Sequence, residues 1–164
     1  MKNIFFVGIP IEAKGINDFN YIAEHVINAK FFWFSYKVDI DLRKKYKRIN
    51  FIIGLDDDNL KAMITKEMDL LICCSHFEGF CLPIAEAILL GKPVFSYKLK
   101  EIESVYLNSI NYVDCFDLNS YVDKINKFTL KDDSSNANKK HINYIINNYS
   151  PRIVSKRLLK ILLN

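Results

Sequence analysis

Glycine and proline are scarce in this chain, 5 and 4 among 164 residues, which excludes collagen-like, low-complexity and turn-dense all-β architectures. No apolar run approaches the ~18 residues that a membrane span requires. The opening apolar stretch stops at Glu12 and Lys14 with no small-residue cleavage site after it, so it does not read as a secretory signal. Cysteine is sparse too: Cys73, Cys74, Cys81 and Cys115 form no C-x-x-C pair and no zinc spacing. Cys73 and Cys74 lie in an apolar run and read as small buried hydrophobes, a usage suited to a reducing compartment. A cytoplasmic protein is therefore expected. Charge of one sign is also weak. The net charge is +4, and the basic residues are scattered over Arg43–Arg48, Lys98 with Lys100, and Lys139–Lys160. A nucleic-acid binder gathers such charge on one face, so no nucleic-acid partner is expected. Gly8–Lys14 matches neither a Walker loop nor G-x-G-x-x-G, which argues against NTP hydrolysis and hydride transfer.

What is present is a strong alternation. Half the residues are hydrophobic and 26% are charged, which is globular, and the length suits one domain with a real core. Short apolar runs predict strands at Ile4–Val7, Phe31–Tyr36, Phe51–Ile53, Met68–Cys73 and Pro93–Tyr97, with a marginal sixth at Tyr112–Val113. Amphipathic stretches between them predict helices at Gly15–Ala29, Leu42–Arg48, Asp57–Glu67, Pro83–Leu90, Glu101–Leu107 and Leu118–Phe128. Runs of Phe, Ile and Val without polar alternation belong to strands covered on both faces. The expected fold is therefore α/β, with three α/β/α layers around a mostly parallel sheet of about six strands. Residues 1–130 read as one domain and 131–137 as a loop or linker. Residues 138–164 read as C-terminal helices (His141–Asn148 and Pro151–Leu163) packed on the same domain.

In open α/β sheets, ligands sit outside the carboxyl ends of the strands. The most informative loop at that edge is Ser75-His76-Phe77-Glu78-Gly79-Phe80-Cys81-Leu82-Pro83. A strand ends, a glycine-containing loop crosses its tip, and a helix opens near Pro83. Unpaired backbone N–H groups at such a helix start hold phosphates, and Gly79 lets the backbone approach a ligand. Glu78 and Glu86 flank this cradle, with seven residues between them. Carboxylates repel a diphosphate, so their partners are hydroxyls, and a carboxylate accepting two hydrogen bonds suits a vicinal diol. Alone, each glutamate reads as readily as a surface acid near a helix start; the whole string reads as a nucleotide-sugar site.

The segment Glu78-Gly79-Phe80-Cys81-Leu82-Pro83-Ile84-Ala85-Glu86-Ala87 resembles the E-x7-E signature of retaining glycosyltransferases with two Rossmann-like domains, the GT-B fold. It is similar to the C-terminal, donor-binding domain of the group 1 (family 4) enzymes. Gly8-Ile9-Pro10-Ile11-Glu12-Ala13-Lys14-Gly15 resembles that domain's opening strand and Lys-Gly loop. Phe51-Ile52-Ile53-Gly54 and Gly91-Lys92-Pro93-Val94 resemble its third and fifth strands. The resemblance implies transfer of a glycosyl group from a nucleoside-diphosphate sugar, with retention and without a metal or other cofactor. It implies that Glu78 acts in catalysis on the sugar hydroxyls and that Glu86 binds the ribose. The backbone of Gly79, Phe80, Cys81 and Leu82 would hold sugar and diphosphate. Lys14 would neutralise the phosphates, Gly8 would belong to the nucleotide-sugar site, and backbone near Gly54 and Leu55 would contact the base. An acceptor-binding N-terminal domain is implied as well, in the same full-length chain or on a partner chain.

Three features depart from the pattern. Ile9 stands where the family has an Arg, which weakens the donor site unless Arg43, Lys98 or Lys100 reaches in. Cys81 replaces the second glycine of E-G-F-G and threatens to crowd the sugar. Ser35-Tyr36-Lys37 and Lys98-Leu99-Lys100-Glu101 replace glycine-rich turns. A non-catalytic partner module with a decayed donor site is therefore the alternative, and another Rossmann-like nucleotide enzyme is a weaker third. His76 reads as a packing residue more than a proton carrier. Trp33 reads as strand core, and Asp56-Asp57-Asp58 as a helix start rather than a metal site. Pro151–Leu163 is amphipathic and basic; packing across to another domain is favoured over contact with an anionic membrane surface.

Overall fold

The computed structural model describes residues 1–129 and 135–162. Six strands, β1 (Lys2–Val7), β2 (Ala29–Ser35), β3 (Ile49–Ile53), β4 (Leu70–Cys73), β5 (Val94–Tyr97) and β6 (Asn111–Val113), form one sheet in the order β3-β2-β1-β4-β5-β6. All five pairings are parallel. The helices are α1 (Ile16–His25), α2 (Ile40–Lys45), α3 (Asp57–Glu67), α4 (Leu82–Leu89), α5 (Lys100–Tyr106), α6 (Leu118–Lys127), α7 (Ser135–Tyr149) and α8 (Pro151–Leu162). The order runs outward from β1 in one direction and from β4 in the other. The connections from β1 to β2 and from β4 to β5 therefore run in opposite directions along the sheet, which makes the carboxyl ends of β1 and β4 the topological switch point where α/β sheets bind ligands.

Strand alternation sorts the aromatic residues onto two faces. Phe6, Phe31 and Trp33 meet Phe19 of α1 at centroid distances of 5.9, 5.5 and 5.1 Å. Phe5 turns the other way and packs with Phe32 and Phe34 at 5.1 and 4.7 Å. Both faces are thus filled, which is why the strands read as unbroken apolar runs. Trp33 is fully buried core, as its sequence neighbourhood indicates, and its indole N–H donates to the Gly8 carbonyl at 2.7 Å.

Helix starts differ across the sheet. Asp39, Asp56 and Asp117 cap α2, α3 and α6 by accepting from Asp41, Asn59 and Ser120 amides; Asp56 thus serves a helix start. The helices after β1, β4 and β5 have no side-chain cap. Some boundaries differ from those the sequence suggests. The first helix ends at His25 rather than Ala29, because Ala29 already pairs with Lys2 in the sheet. The second runs over Ile40–Lys45 rather than Leu42–Arg48, set by its Asp39 cap. Residues 131–134 of the expected 131–137 linker lie outside the described residues, and α7 begins at Ser135, inside its expected range. Helix α7 packs on α4 and contributes buried Ile145. In α8, residues 151–160 are exposed apart from half-buried Ile153. Among the described residues no helix is long and apolar enough to cross a membrane.

Candidate functional site

The chain leaves β1 at Gly8 and passes through a 3-10 turn at Glu12–Lys14 to Gly15, which enters α1 with φ +72°. That left-handed conformation favours glycine, and space demands it as well. A Cβ at Gly15 would lie 2.0 Å from the Cys74 carbonyl oxygen. Next to this contact the His76 amide donates to the Ala13 carbonyl at 3.0 Å. The loops after β1 and β4 are therefore bound to each other, and their side chains meet at the junction. Lys14 Nζ lies 2.5 Å from Glu78 Oε1, with the two side chains 32% and 13% exposed. The sequence assigns these residues to phosphate and sugar respectively; the fold pairs them with each other.

Helix α4 begins at Leu82, so Pro83 is its second residue rather than its first. Its N-cap, Cys81, is left-handed at φ +54°. A glycine would hold that conformation without strain; a residue with a Cβ pays roughly 1–2 kcal/mol. The Cys81 sulfur does not hang over the loop; it sits 3.7 Å from Cys73 Sγ. Their contact lowers the Cys73 pKa, while the same contact and burial raise that of Cys81.

Tyr106, fully buried at the end of α5, fastens the loop from beneath. Its hydroxyl donates to the carbonyls of Phe80 at 2.5 Å and Cys81 at 3.1 Å. Burial raises its pKa, keeping the proton on the donor. The Phe80 ring lies between Tyr106 and Tyr149 of α7. Neither tyrosine is legible as a site residue in the sequence, since nothing in a short apolar helix marks a hydroxyl reaching back more than twenty residues.

The remaining assigned residues divide into two groups. Gly79 and Leu82 are exposed beside Glu78, and a Cβ on Gly79 would meet nothing within 4 Å. Glu86 is half-buried in the second turn of α4, so the common preference of acids for a first turn does not account for it. Gly8 and Leu55 instead line an apolar hollow of about 280 Å³ with Ile9, Phe34, Tyr36 and Ile52, at the ends of β1, β2 and β3. Gly54 precedes Leu55 in a left-handed turn. A drug-sized site occupies roughly 300–1,000 Å³, so this hollow suits one planar ring system rather than a whole ligand.

No second cation joins Lys14 among the contacts described. Ile9 is 42% exposed at the hollow's rim. Lys98 pairs with Glu103 at 3.3 Å, while Arg43 and Lys100 are exposed on α2 and α5. His76 is occupied as well. Its Nε2 is 3.0 Å from Asp18 Oδ2, which also accepts from Tyr97 Oη at 2.7 Å. This is a packing arrangement at the start of α1. His25 is a surface residue stacked on Tyr21.

Comparison with known proteins bears on family and fold. A family profile described as "Glycosyl transferases group 1" matches residues 34–150, more than half of the chain. No curated protein matches the sequence. Among solved structures, sucrose-phosphate synthase from Thermosynechococcus elongatus superposes with TM-score 0.81 at 16% identity, covering 98% of this chain and 44% of that one. A mutant of S. aureus TarM, in complex with fondaparinux, alpha-GlcNAc-glycerol and UDP, gives 0.79 at 18% identity, covering 97% and 35%. The C-terminal domain of LpcC, a group 1 family protein of Francisella tularensis, gives 0.67 at 20% identity, covering 92% and 87%. The chain thus spans about a third of TarM and under half of the synthase, but nearly all of the LpcC domain. With both the profile and the Rossmann-like GT-B half pointing one way, the chain belongs to the group 1 glycosyltransferase family.

Proposed function

We propose that this chain is the nucleotide-sugar donor-binding domain of a retaining glycosyltransferase. The observation that carries the reading is the meeting of Lys14, Glu78 and the uncapped start of α4 at the β1/β4 switch point. The backbone amides of the Gly79–Leu82 loop and one lysine suit a diphosphate; within the first turn of α4, Pro83 has no N–H and the Ile84 amide already donates to the Cys81 carbonyl. Glu78 and Glu86, before and within α4, suit hydroxyls of sugar and ribose. The apolar hollow beside Gly8, Tyr36 and Leu55 suits the base.

The ion pair gives the site a resting state. An arriving diphosphate draws Lys14 away from Glu78 and leaves that carboxylate free to accept from the sugar. In the transfer, the bond from the anomeric carbon to the phosphate oxygen breaks and the diphosphate keeps the electron pair. Lys14 and the backbone amides of the Gly79–Leu82 loop stabilise that charge, with no metal in the step. The glycosyl group passes to an acceptor hydroxyl with retention, and the hydroxyl's proton goes to the departing diphosphate. The acceptor is held by another domain, in the same full-length protein or on a partner, and the product is a glycan, glycolipid or polysaccharide.

Calorimetric titration with UDP, GDP and ADP tests the reading. One of the three binds with a dissociation constant of millimolar or better, and Lys14→Ala and Glu86→Ala each weaken it about tenfold or more, equivalent to ~1.4 kcal/mol. A folded chain that binds none of them overturns it. Exposed Ile9 and the engagement of Lys98 by Glu103 favour a second reading, a partner module whose donor site has decayed. That reading predicts no nucleotide binding and a partner complex indifferent to Glu78→Gln.

A further inference from the structure

We propose that Cys73, Cys81 and Glu78 form a binding site for a soft divalent cation, Zn2+ in the first instance. The two sulfurs and a carboxylate oxygen all lie within 4.8 Å of one another. Two thiolates, each ~2.3 Å from a tetrahedral zinc, stand about 3.8 Å apart. The observed separation is 3.7 Å, so the ion enters without rearrangement of the pair. A disulfide would need ~2.05 Å.

Charge supports the same assignment. Binding releases the two S–H protons to solvent, and two metal–sulfur bonds and one metal–oxygen bond form. Two thiolates, the Glu78 carboxylate, the Lys14 ammonium and the dication then sum to zero. Lys14 stays useful in that state, because it can hold the Glu78 carboxylate from outside the metal, the usual role of a group behind a ligand. Access is also available. Cys73 is buried in β4, but Cys81 is partly covered and Glu78 is 13% exposed, so the ion would approach from the Glu78 and Cys81 side. The backbone adds an independent observation. Cys81 stands in a left-handed conformation that glycine would adopt freely. Strain of this kind persists where a particular side chain is needed, and the side chain here is a sulfur aimed at another sulfur.

The site does not depend on the donor reading. If that reading also holds, the ion takes Glu78 away from the sugar, and metal and donor exclude each other.

The test uses the whole chain, reduced and metal-free, titrated with Cd2+ and followed by the thiolate-to-metal charge-transfer band. Zn2+ then competes for the ion, and native mass spectrometry gives stoichiometry. The expected result is one equivalent of either metal, with the band abolished in Cys81→Gly, weakened about tenfold or more in Glu78→Gln, and unchanged in Cys115→Ser. Cys81→Gly relieves the backbone, so its circular dichroism and melting remain at or above the parent's, which separates loss of the site from loss of the fold. No band in the parent chain overturns the proposal. So does a band that survives Cys81→Gly, or one that vanishes in Cys115→Ser.

Discussion

Gly15 and Gly79 are the same residue type under opposite constraints. Gly15 is fixed by the chain itself, through its positive φ and the Cys74 carbonyl 2.0 Å from where a Cβ would stand. Gly15→Ala therefore costs more than the roughly 1–2 kcal/mol of the left-handed backbone alone, measurable as a lowered midpoint in urea. Gly79 meets nothing and has no left-handed backbone. Gly79→Ala leaves stability within about 0.5 kcal/mol, but lowers nucleotide affinity if a ligand passes close to that backbone. Equal loss of stability and affinity would place Gly79 in the scaffold instead. The sequence marks Gly79 as a place where a ligand can approach the backbone, whereas it offers Gly15 only as a helix start in a Lys-Gly loop; the contact with Cys74 comes from the fold. The contact between Cys73 and Cys81 could not. Their spacing matches no ligand motif, and only the return of the loop over β4 brings the two sulfurs together. The Lys14–Glu78 pair was hidden for the same reason: each residue was assignable to a ligand, and their mutual attraction is a product of the fold.

At the scale of elements, the loop before α4 depends on a residue two elements further on. Tyr106 satisfies the Phe80 and Cys81 carbonyls from within α5. Tyr106→Phe removes that donor and keeps the ring, so it should lower stability by about 1–3 kcal/mol, the cost of buried acceptors left unpaired. Loosening of the α4 start should weaken nucleotide binding in parallel. Unaltered stability and affinity would show that the loop holds its shape without this hydroxyl. Strands and helices were legible because their patterns are local: apolar runs for two-sided strands, Asp caps for α2, α3 and α6. Helix boundaries were less so. Where α1 stops is decided by the sheet register of Ala29 opposite Lys2, a tertiary fact that periodicity does not carry.

Across the whole molecule, three fully buried tyrosines, Tyr97, Tyr106 and Tyr121, bind the sheet to its helices and loops. Burial raises the pKa of each above the ordinary tyrosine value. The unfolded chain ionises near pH 10 while the folded chain does not. The stability they support is thus complete below that pH and falls above it, by about 1.4 kcal/mol per pH unit for each tyrosine. Thermal unfolding between pH 8 and 11 checks the sign; a flat or rising melting temperature above pH 10 would contradict it. Sheet class, and the carboxyl ends of the strands as the edge to inspect for a ligand, followed from strand and helix alternation. The order of strands, and so which loops face each other, came only with the fold.

On the proposed function, Lys14 leaves Glu78 to hold a diphosphate at the loop that opens α4. A crystal structure with a bound nucleoside diphosphate tests this most directly. The expected result is phosphates against the Gly79–Leu82 backbone, with Lys14 turned from Glu78 onto them and the base in the hollow beside Tyr36 and Leu55. Phosphates bound elsewhere, with the Lys14–Glu78 pair intact, would contradict it.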